Sequence, residues 1–153
     1  MKKEGSTTLV IRPVLRADAA DWRRLWRAYL EFYETEVSDA VYETSFARLL
    51  GDDPQDFHGL IAEVDGRSVG IVHFLFHRHM WKLEKTCYLQ DLYTAPAARG
   101  KGVGRGLIEA VYAAADAAGA PAVYWLTQDF NTRARVLYDS IGTKTPFIRY
   151  NRA

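Results

Sequence analysis

The chain has 153 residues, 48% hydrophobic and 25% charged, with a formal net charge of +1. That length and balance suit a single globular domain over 1–153 with one sizeable core, and the near-neutral charge provides no global field for nucleic acid or an anionic membrane surface. The only cysteine, Cys87, has no internal disulfide partner, and no apolar window reaches the length of a membrane span.

The amino-terminal stretch MKKEGSTTLVIRP carries two lysines but no apolar run of signal-peptide length, so a cytoplasmic location is expected. Thr7 to Arg12 reads as a short β-branched strand stopped by Pro13. Asp18 is placed to cap a helix reaching about Glu36, with Trp22, Leu25, Trp26, Tyr29, Leu30 and Tyr33 at helical spacing. A second helix is expected over Val41 to Leu50, ended by Gly51 and Pro54. Phe57–Val64 and Val69–Phe76 form the clearest hairpin, joined at Asp65-Gly66. Thr86 to Tyr93 is a third long strand. A loop follows from Pro96 to Gly104, then a helix over Val103 to Ala118 with Val103, Leu107, Ile108, Val111 and Ala115 on one face. Ala122–Thr127 reads as a strand, Asn131 caps a last helix to Ile141 with Gly142 as its terminator, and Phe147–Tyr150 is expected as a closing strand. The order βααβββαβαβ implies an α/β fold: a mixed sheet flanked by helices, with an antiparallel hairpin that argues against a purely doubly wound arrangement.

The segment LQDLYTAPAARGKGVGRGLIEAV concentrates the chemistry. A strand leads into a basic, glycine-rich loop, and a helix begins inside it. Gly100, Gly102, Gly104 and Gly106 permit close backbone approach, the helix start presents free N–H groups and the positive end of its dipole, and Arg99, Lys101 and Arg105 add charge. Together these make a pyrophosphate cradle. The ATP loop pattern fails because Ala95 stands where its first glycine belongs and Gly102 where its Ser/Thr belongs. The dinucleotide pattern fails in either register, with Arg105 or Leu107 at its last position.

Arg99-Gly100-Lys101-Gly102-Val103-Gly104 resembles the R/Q-x-x-G-x-G/A signature of the GNAT superfamily of N-acetyltransferases. The preceding strand YLQDLYTAP, the following strand VYWLTQDFN and the closing helix NTRARVLYDSIG are similar to that superfamily's second half. Within it the chain resembles the Hpa-like branch and the diamine (spermidine/spermine) acetyltransferases. The resemblance implies a GNAT-like splayed, mostly antiparallel sheet, acetyl-CoA as cosubstrate, no metal, and a homodimer. It also implies that the pyrophosphate sits on the backbone from Arg99 to Gly104, through Gly100, Lys101, Gly102 and Val103. The pantetheine arm would pair with the backbone of Leu92, Tyr93 and Thr94, with the Leu92 amide polarising the thioester carbonyl. Asn131 would contact the cofactor arm, and the Tyr138 hydroxyl would protonate the leaving thiolate.

The general base is the point of departure. Diamine acetyltransferases carry Glu-Asp where this chain has Gln90-Asp91, and Gln90 cannot take a proton. Adjacent strand residues face opposite sides, so Asp91 is no positional substitute for Gln90. It is a candidate catalytic residue beside Tyr138 that holds the amine or buttresses the strand. Gln90, Trp81, Glu31 and Glu34 are candidate acceptor contacts, and Glu31 and Glu34 are also candidates for the base. Glu36, Glu84 and a water chain are further candidates for the base. His73, His77 and His79 share a face if their strand continues, but no Cys or carboxylate completes a metal set. The resulting expectation is acetyl transfer in a ternary complex to the primary amine of a small molecule, a polyamine or amino acid type. Protein lysines or N-termini are the alternative acceptors, and a non-catalytic acyl-CoA-binding sensor is the alternative class.

Overall fold

A computed structural model describes residues 8–153. Thr7 and the amino-terminal stretch before it lie outside the described residues. Strands and helices follow in the expected sequence: β1 (Leu9–Pro13), α1 (Ala19–Phe32), α2 (Asp39–Leu50), β2 (His58–Val64), β3 (Arg67–His77), β4 (Thr86–Thr94), α3 (Val103–Ala117), β5 (Val123–Tyr124) and α4 (Thr132–Ile141). The five strands lie in the order β1-β2-β3-β4-β5. The first four are antiparallel neighbours, and β5 pairs parallel to β4.

Side-chain alternation divides the sheet into two covered faces. Ala62, Val64, Val72, Phe74, Cys87 and Leu89 pack against Val103, Leu107, Ile108, Val111 and Ala115 of α3. Ile61 and Ile71 face the other way, toward Trp22, Leu25 and Leu30 of α1 and Tyr42 of α2. α3 lies close because Gly70 has no side chain: a Cβ there would stand 2.9 Å from Val103 Cγ1 and 3.0 Å from the Tyr93 carbonyl oxygen. α4 is tied to α3 by Tyr112, whose hydroxyl donates to the Ile141 carbonyl at 2.7 Å.

β4 breaks its own alternation. His73 pairs with Asp91 and Phe74 with Leu89, so Gln90 is an extra residue with no partner on β3. This is a β-bulge, and it shifts the phase of the strand. Leu89 and Leu92, three apart, consequently pack on the same face. The parallel pairing with β5 covers only Cys87↔Val123 and Tyr88↔Tyr124 and stops just before the bulge. Beyond Tyr88 the two strands part, and Trp125 turns beneath α4, where it packs on Tyr138 at 5.5 Å between ring centroids.

Four expectations change. α1 ends at Phe32 rather than Glu36, because Glu34 takes a positive φ of 55° and the amides of Glu34 and Thr35 fold back onto Glu31 and Leu30. α2 starts two residues early, at Asp39, because Ser38 Oγ accepts from the Val41 amide. β5 is two residues long instead of six, for the reason just given. No closing strand forms at 147–150: Phe147, Ile148 and Tyr150 are exposed, and this single chain offers them no paired strand edge.

Asp18 does not cap α1. Its carboxylate accepts from Arg12 Nη1 at 2.7 Å and Nη2 at 2.9 Å and from the Leu15 amide at 2.7 Å, which ties β1 to the turn before α1. The Arg12 guanidinium holds this carboxyl below its ordinary range, against the opposing effect of burial. A depressed folded-state pKa makes the contribution fully present above the unfolded value, near 3.9, and lost as pH falls through the lower folded value. Asp18→Asn is therefore expected to lower stability at neutral pH by about 2 kcal/mol, about 5 °C in Tm. The gap to the wild type should close in acid, and a gap independent of pH in urea titrations would contradict this account.

Candidate active site

The site is built where β4 and β5 separate. The gap is lined by Tyr29 and Tyr33 of α1 and its end, Leu89, Gln90 and Leu92 of β4, Trp125 and Leu126 beyond β5, and Tyr138 of α4. The bulge carries Gln90 into this gap and leaves it exposed. Leu92, Tyr93 and Thr94 pair on one side with Val72, Ile71 and Gly70 of β3. Their other side has no strand partner among the described residues, because β5 ends at Tyr124. That edge is free to take a ligand in strand-like fashion.

β4 runs directly into the glycine-rich loop. Gly100 and Gly102 have φ of 80° and 77°, and a Cβ at either would meet nothing within 4 Å. Both conditions matter: the backbone needs glycine there, and the space over it is open. Gly102 is the N-cap of α3 and supplies no side-chain cap. The first helical donor satisfied through it is Gly106, on the Gly102 carbonyl at 2.9 Å. The amides of Val103, Gly104 and Arg105 find no acceptor among the described residues. Unfilled donors at the positive end of a 15-residue helix form an anion site. Arg99 and Lys101 stay exposed beside it. Arg105 points elsewhere: its guanidinium donates to Ser140 Oγ at 2.7 Å and lies 3.7 Å from Glu109. The residues fit a pyrophosphate-bearing ligand whose extended arm follows the open edge of β4 into the gap.

Asn131 caps α4, its Oδ1 accepting from the Ala134 amide at 3.4 Å. The side-chain amide remains able to donate. Tyr138, two turns on, lines the gap, and burial with a smaller effect of Tyr33 pushes its hydroxyl pKa up to about 12. It is a neutral donor throughout the physiological range.

Asp91 does not line the gap. It is buried behind Tyr29 and Tyr33, and His73 Nδ1 lies 2.8 Å from its Oδ2. Burial, followed by the Asp91 charge, raises the pKa of both tyrosines. His73 accepts in turn from the Trp22 indole Nε1 at 2.8 Å. His77 bonds instead to the Tyr124 hydroxyl at 2.8 Å, and His79 Nδ1 accepts from the Trp81 amide. The three histidines therefore do not converge, and among the described residues no three His, Cys, Asp or Glu gather as a metal site. Glu31 pairs with Arg27 on the exposed side of α1, and Glu34, Glu36, Glu84 and Trp81 are exposed away from the gap. Cys87 is fully buried and its thiol is pushed up to about 11, which makes it an inert core residue.

Sequence reading did not single out Tyr29, Tyr33 and Trp125 as candidate site residues, and it grouped His73 with His77 and His79 rather than with Asp91. Tyr29 and Tyr33 share a helical face with the core residues of α1, and only their hydroxyls, at the carboxyl-terminal end of that helix, hinted at something other than packing.

Residues 22–142 match the Acetyltransferase (GNAT) family. The chain is 38% identical over 152 residues to the D-amino-acid N-acetyltransferase HPA3 of Saccharomyces cerevisiae, spanning 99% of this chain and 94% of that one. It is 28% identical over 145 residues to the thialysine N-epsilon-acetyltransferase of Bos taurus, spanning 89% and 84%. Among solved structures, the aminoglycoside N-acetyltransferase AAC(6')-Iy in complex with CoA superposes with a TM-score of 0.83 at 19% identity, covering 98% of this chain and 97% of that one. The last likeness is one of fold. Gly102→Glu, which sets a carboxylate at the α3 N-terminus and strains a left-handed backbone, is expected to abolish CoA binding in calorimetry; unchanged affinity would remove the loop from the site.

Proposed function

The chain belongs to the GNAT family of acetyltransferases and is an N-acetyltransferase enzyme, and from that premise we propose that it transfers the acetyl group of acetyl-CoA directly to the primary amine of a small molecule of amino acid or polyamine type. In this reading residues 1–153 act as one domain. The observation that carries it is the gap at the β4–β5 opening, where Gln90, Leu92 and Tyr138 meet at one end of an open strand edge that leads to the unfilled α3 amides.

Acetyl-CoA supplies the acyl group as an activated thioester. Arg99, Gly100, Lys101, Gly102, Val103 and Gly104 hold its pyrophosphate, largely by backbone amides. The open edge of Leu92, Tyr93 and Thr94 holds the arm, and the Leu92 amide donates to the acyl oxygen as negative charge builds there. Asn131 donates to the arm through the amide its cap leaves free. Tyr138 donates a hydrogen bond to the departing sulfur. A phenol at about 12 keeps its proton in competition with a thiol of ordinary pKa, near 8.5. Tyr138 thus stabilises the leaving thiolate by a hydrogen bond rather than serving as the net proton source. The ammonium loses one proton to solvent before it attacks, and as the C–S bond breaks a second proton leaves the nitrogen and ends on the sulfur, giving the amide and the CoA thiol.

The acceptor enters past Gln90, Tyr29 and Tyr33. No cationic side chain lines this wall, and tyrosine faces with the Asp91 charge behind them favour an ammonium group. We assign to Asp91 the holding of that positive charge. The curated relatives support a small acceptor, since one is a D-amino-acid and the other a thialysine acetyltransferase at nearly full coverage. A homodimer is also proposed. The outer edge of β5 is unpaired among the described residues, and Phe147, Ile148 and Tyr150 of the tail expose apolar surface that a second copy would cover.

Thiol release from acetyl-CoA with a panel of D- and L-amino acids, polyamines and lysine peptides tests the acceptor. Turnover of small amines is expected. Turnover of peptides alone would move the reading to protein acceptors, and CoA binding without any turnover would make the chain a sensor. Tyr138→Phe should lower kcat about tenfold or more while CoA affinity holds; unchanged kcat would remove the hydroxyl from the reaction. Sedimentation should show a dimer, and a monomer at micromolar concentration would refute the assembly.

A further inference from the structure

Trp22, His73 and Asp91 form a chain of hydrogen bonds across the buried face of the sheet. Trp22 is 1% exposed, His73 5% and Asp91 9%. Burying three polar groups in contact is unfavourable unless each is satisfied, and here the partners are well matched. An indole N–H can only donate, so His73 Nε2 must accept at 2.8 Å. That leaves the ring's one proton on Nδ1, which donates to Asp91 Oδ2 at 2.8 Å. A second proton on Nε2 would set two N–H donors against each other.

We propose that Trp22 and His73 are positioning residues that fix a neutral, Nδ1-protonated imidazole beneath Asp91, so that the site keeps one uncancelled negative charge for a cationic amine. This rests on the acceptor reading given above. Among the described residues His73 is the only basic side chain within ion-pair distance of Asp91; Tyr88 of β4 also feels the carboxylate, and Arg149 acts on Tyr88 without pairing with Asp91. From α1, Trp22 and Trp26 flank the imidazole and Tyr29 and Tyr33 face the carboxylate. From α2, Tyr42 stacks edge-on behind the two indoles, and the nearby cation, Arg23, lies over the outer Tyr42 ring at 4.2 Å rather than against His73. β2 presents Gly59 opposite His73 and thus no side chain. An ordinary His–Asp pair takes up a proton in mild acid and cancels its own charge. The indole blocks that proton's place.

The bulge at Gln90 makes the arrangement available. Without the extra residue the phase of β4 would differ on one side of it, and Asp91 could not share a face with both His73 and Tyr93 while Leu89 and Leu92 share the other. The device also accounts for a tryptophan at the start of a helix face where a leucine would serve packing alone.

Nitrogen-resolved NMR of the imidazoles tests the device in the intact protein without any assay of turnover. The His73 signal is identified by its loss in His73→Gln. A single Nδ1–H tautomer with unprotonated Nε2 is expected between about pH 5 and 8. Protonation of both nitrogens in that range, or the opposite tautomer, would overturn the proposal. Trp22→Phe keeps an aromatic ring, though a smaller one, and removes the donor. Its KM for the amine should rise about tenfold toward mild acid while CoA affinity is unchanged, as His73 becomes able to charge and neutralise Asp91. A KM change independent of pH would show a packing role only and also overturn it. If no amine is turned over at all, the acceptor reading fails, and the NMR result still decides the tautomer.

Discussion

One extra residue in β4 organises the molecule. Gln90 has no partner on β3, and the strand that carries it can no longer stay parallel to β5. A continuous sheet would leave no opening and would satisfy the outer edge of Leu92–Thr94 with another strand. The bulge instead opens the sheet between β4 and its last strand, beside helices on both faces. Tyr29 and Tyr33 reach the opening from one face and Tyr138 from the other.

The opening separates two electrostatic environments. Toward the loop, the α3 amides and the helix dipole present positive potential to an anion. Toward α1, the buried Asp91 presents negative potential through a wall of tyrosines. In the reading proposed above, an acyl carrier with a polyphosphate end and an acceptor with an ammonium end would be sorted to opposite sides of one gap. Their reacting groups would then meet in the middle, beside the Leu92 amide of β4 and the Tyr138 phenol of α4. The core around this arrangement is close-packed where it must be rigid: α3 rests on Gly70, and Trp125 fills the space beneath Gly142, where a Cβ would stand 2.8 Å from its ring.

Much of the frame was readable from local pattern. Period-two and period-3.6 spacing located every helix and the long strands, and the Asp65-Gly66 turn forms with positive φ at both residues. Errors fell where nonlocal contact decides. β5 was overextended because Val123 to Thr127 is β-prone throughout, while Trp125 is drawn under α4. The tail at 147–150 has strand composition but no neighbour to pair with in one chain. Asp18 has the identity of a helix cap, yet Arg12, brought alongside by β1, outcompetes the helix amides for its carboxylate.

The sequence by itself determined the glycine-rich loop, because glycine at Gly100 and Gly102 and the helix that follows are local requirements that adjacent residues meet. It also determined the family, the order of elements and the place of Tyr138 on the last helix. Only the tertiary structure decided what the carboxylate at 91 touches. Asp91, His73 and Trp22 come from β4, β3 and α1, and a hydrogen-bond chain across three elements leaves no spacing to read. The loop from Arg99 to Gly104 is written in one stretch of chain; the charge that faces it is assembled by folding.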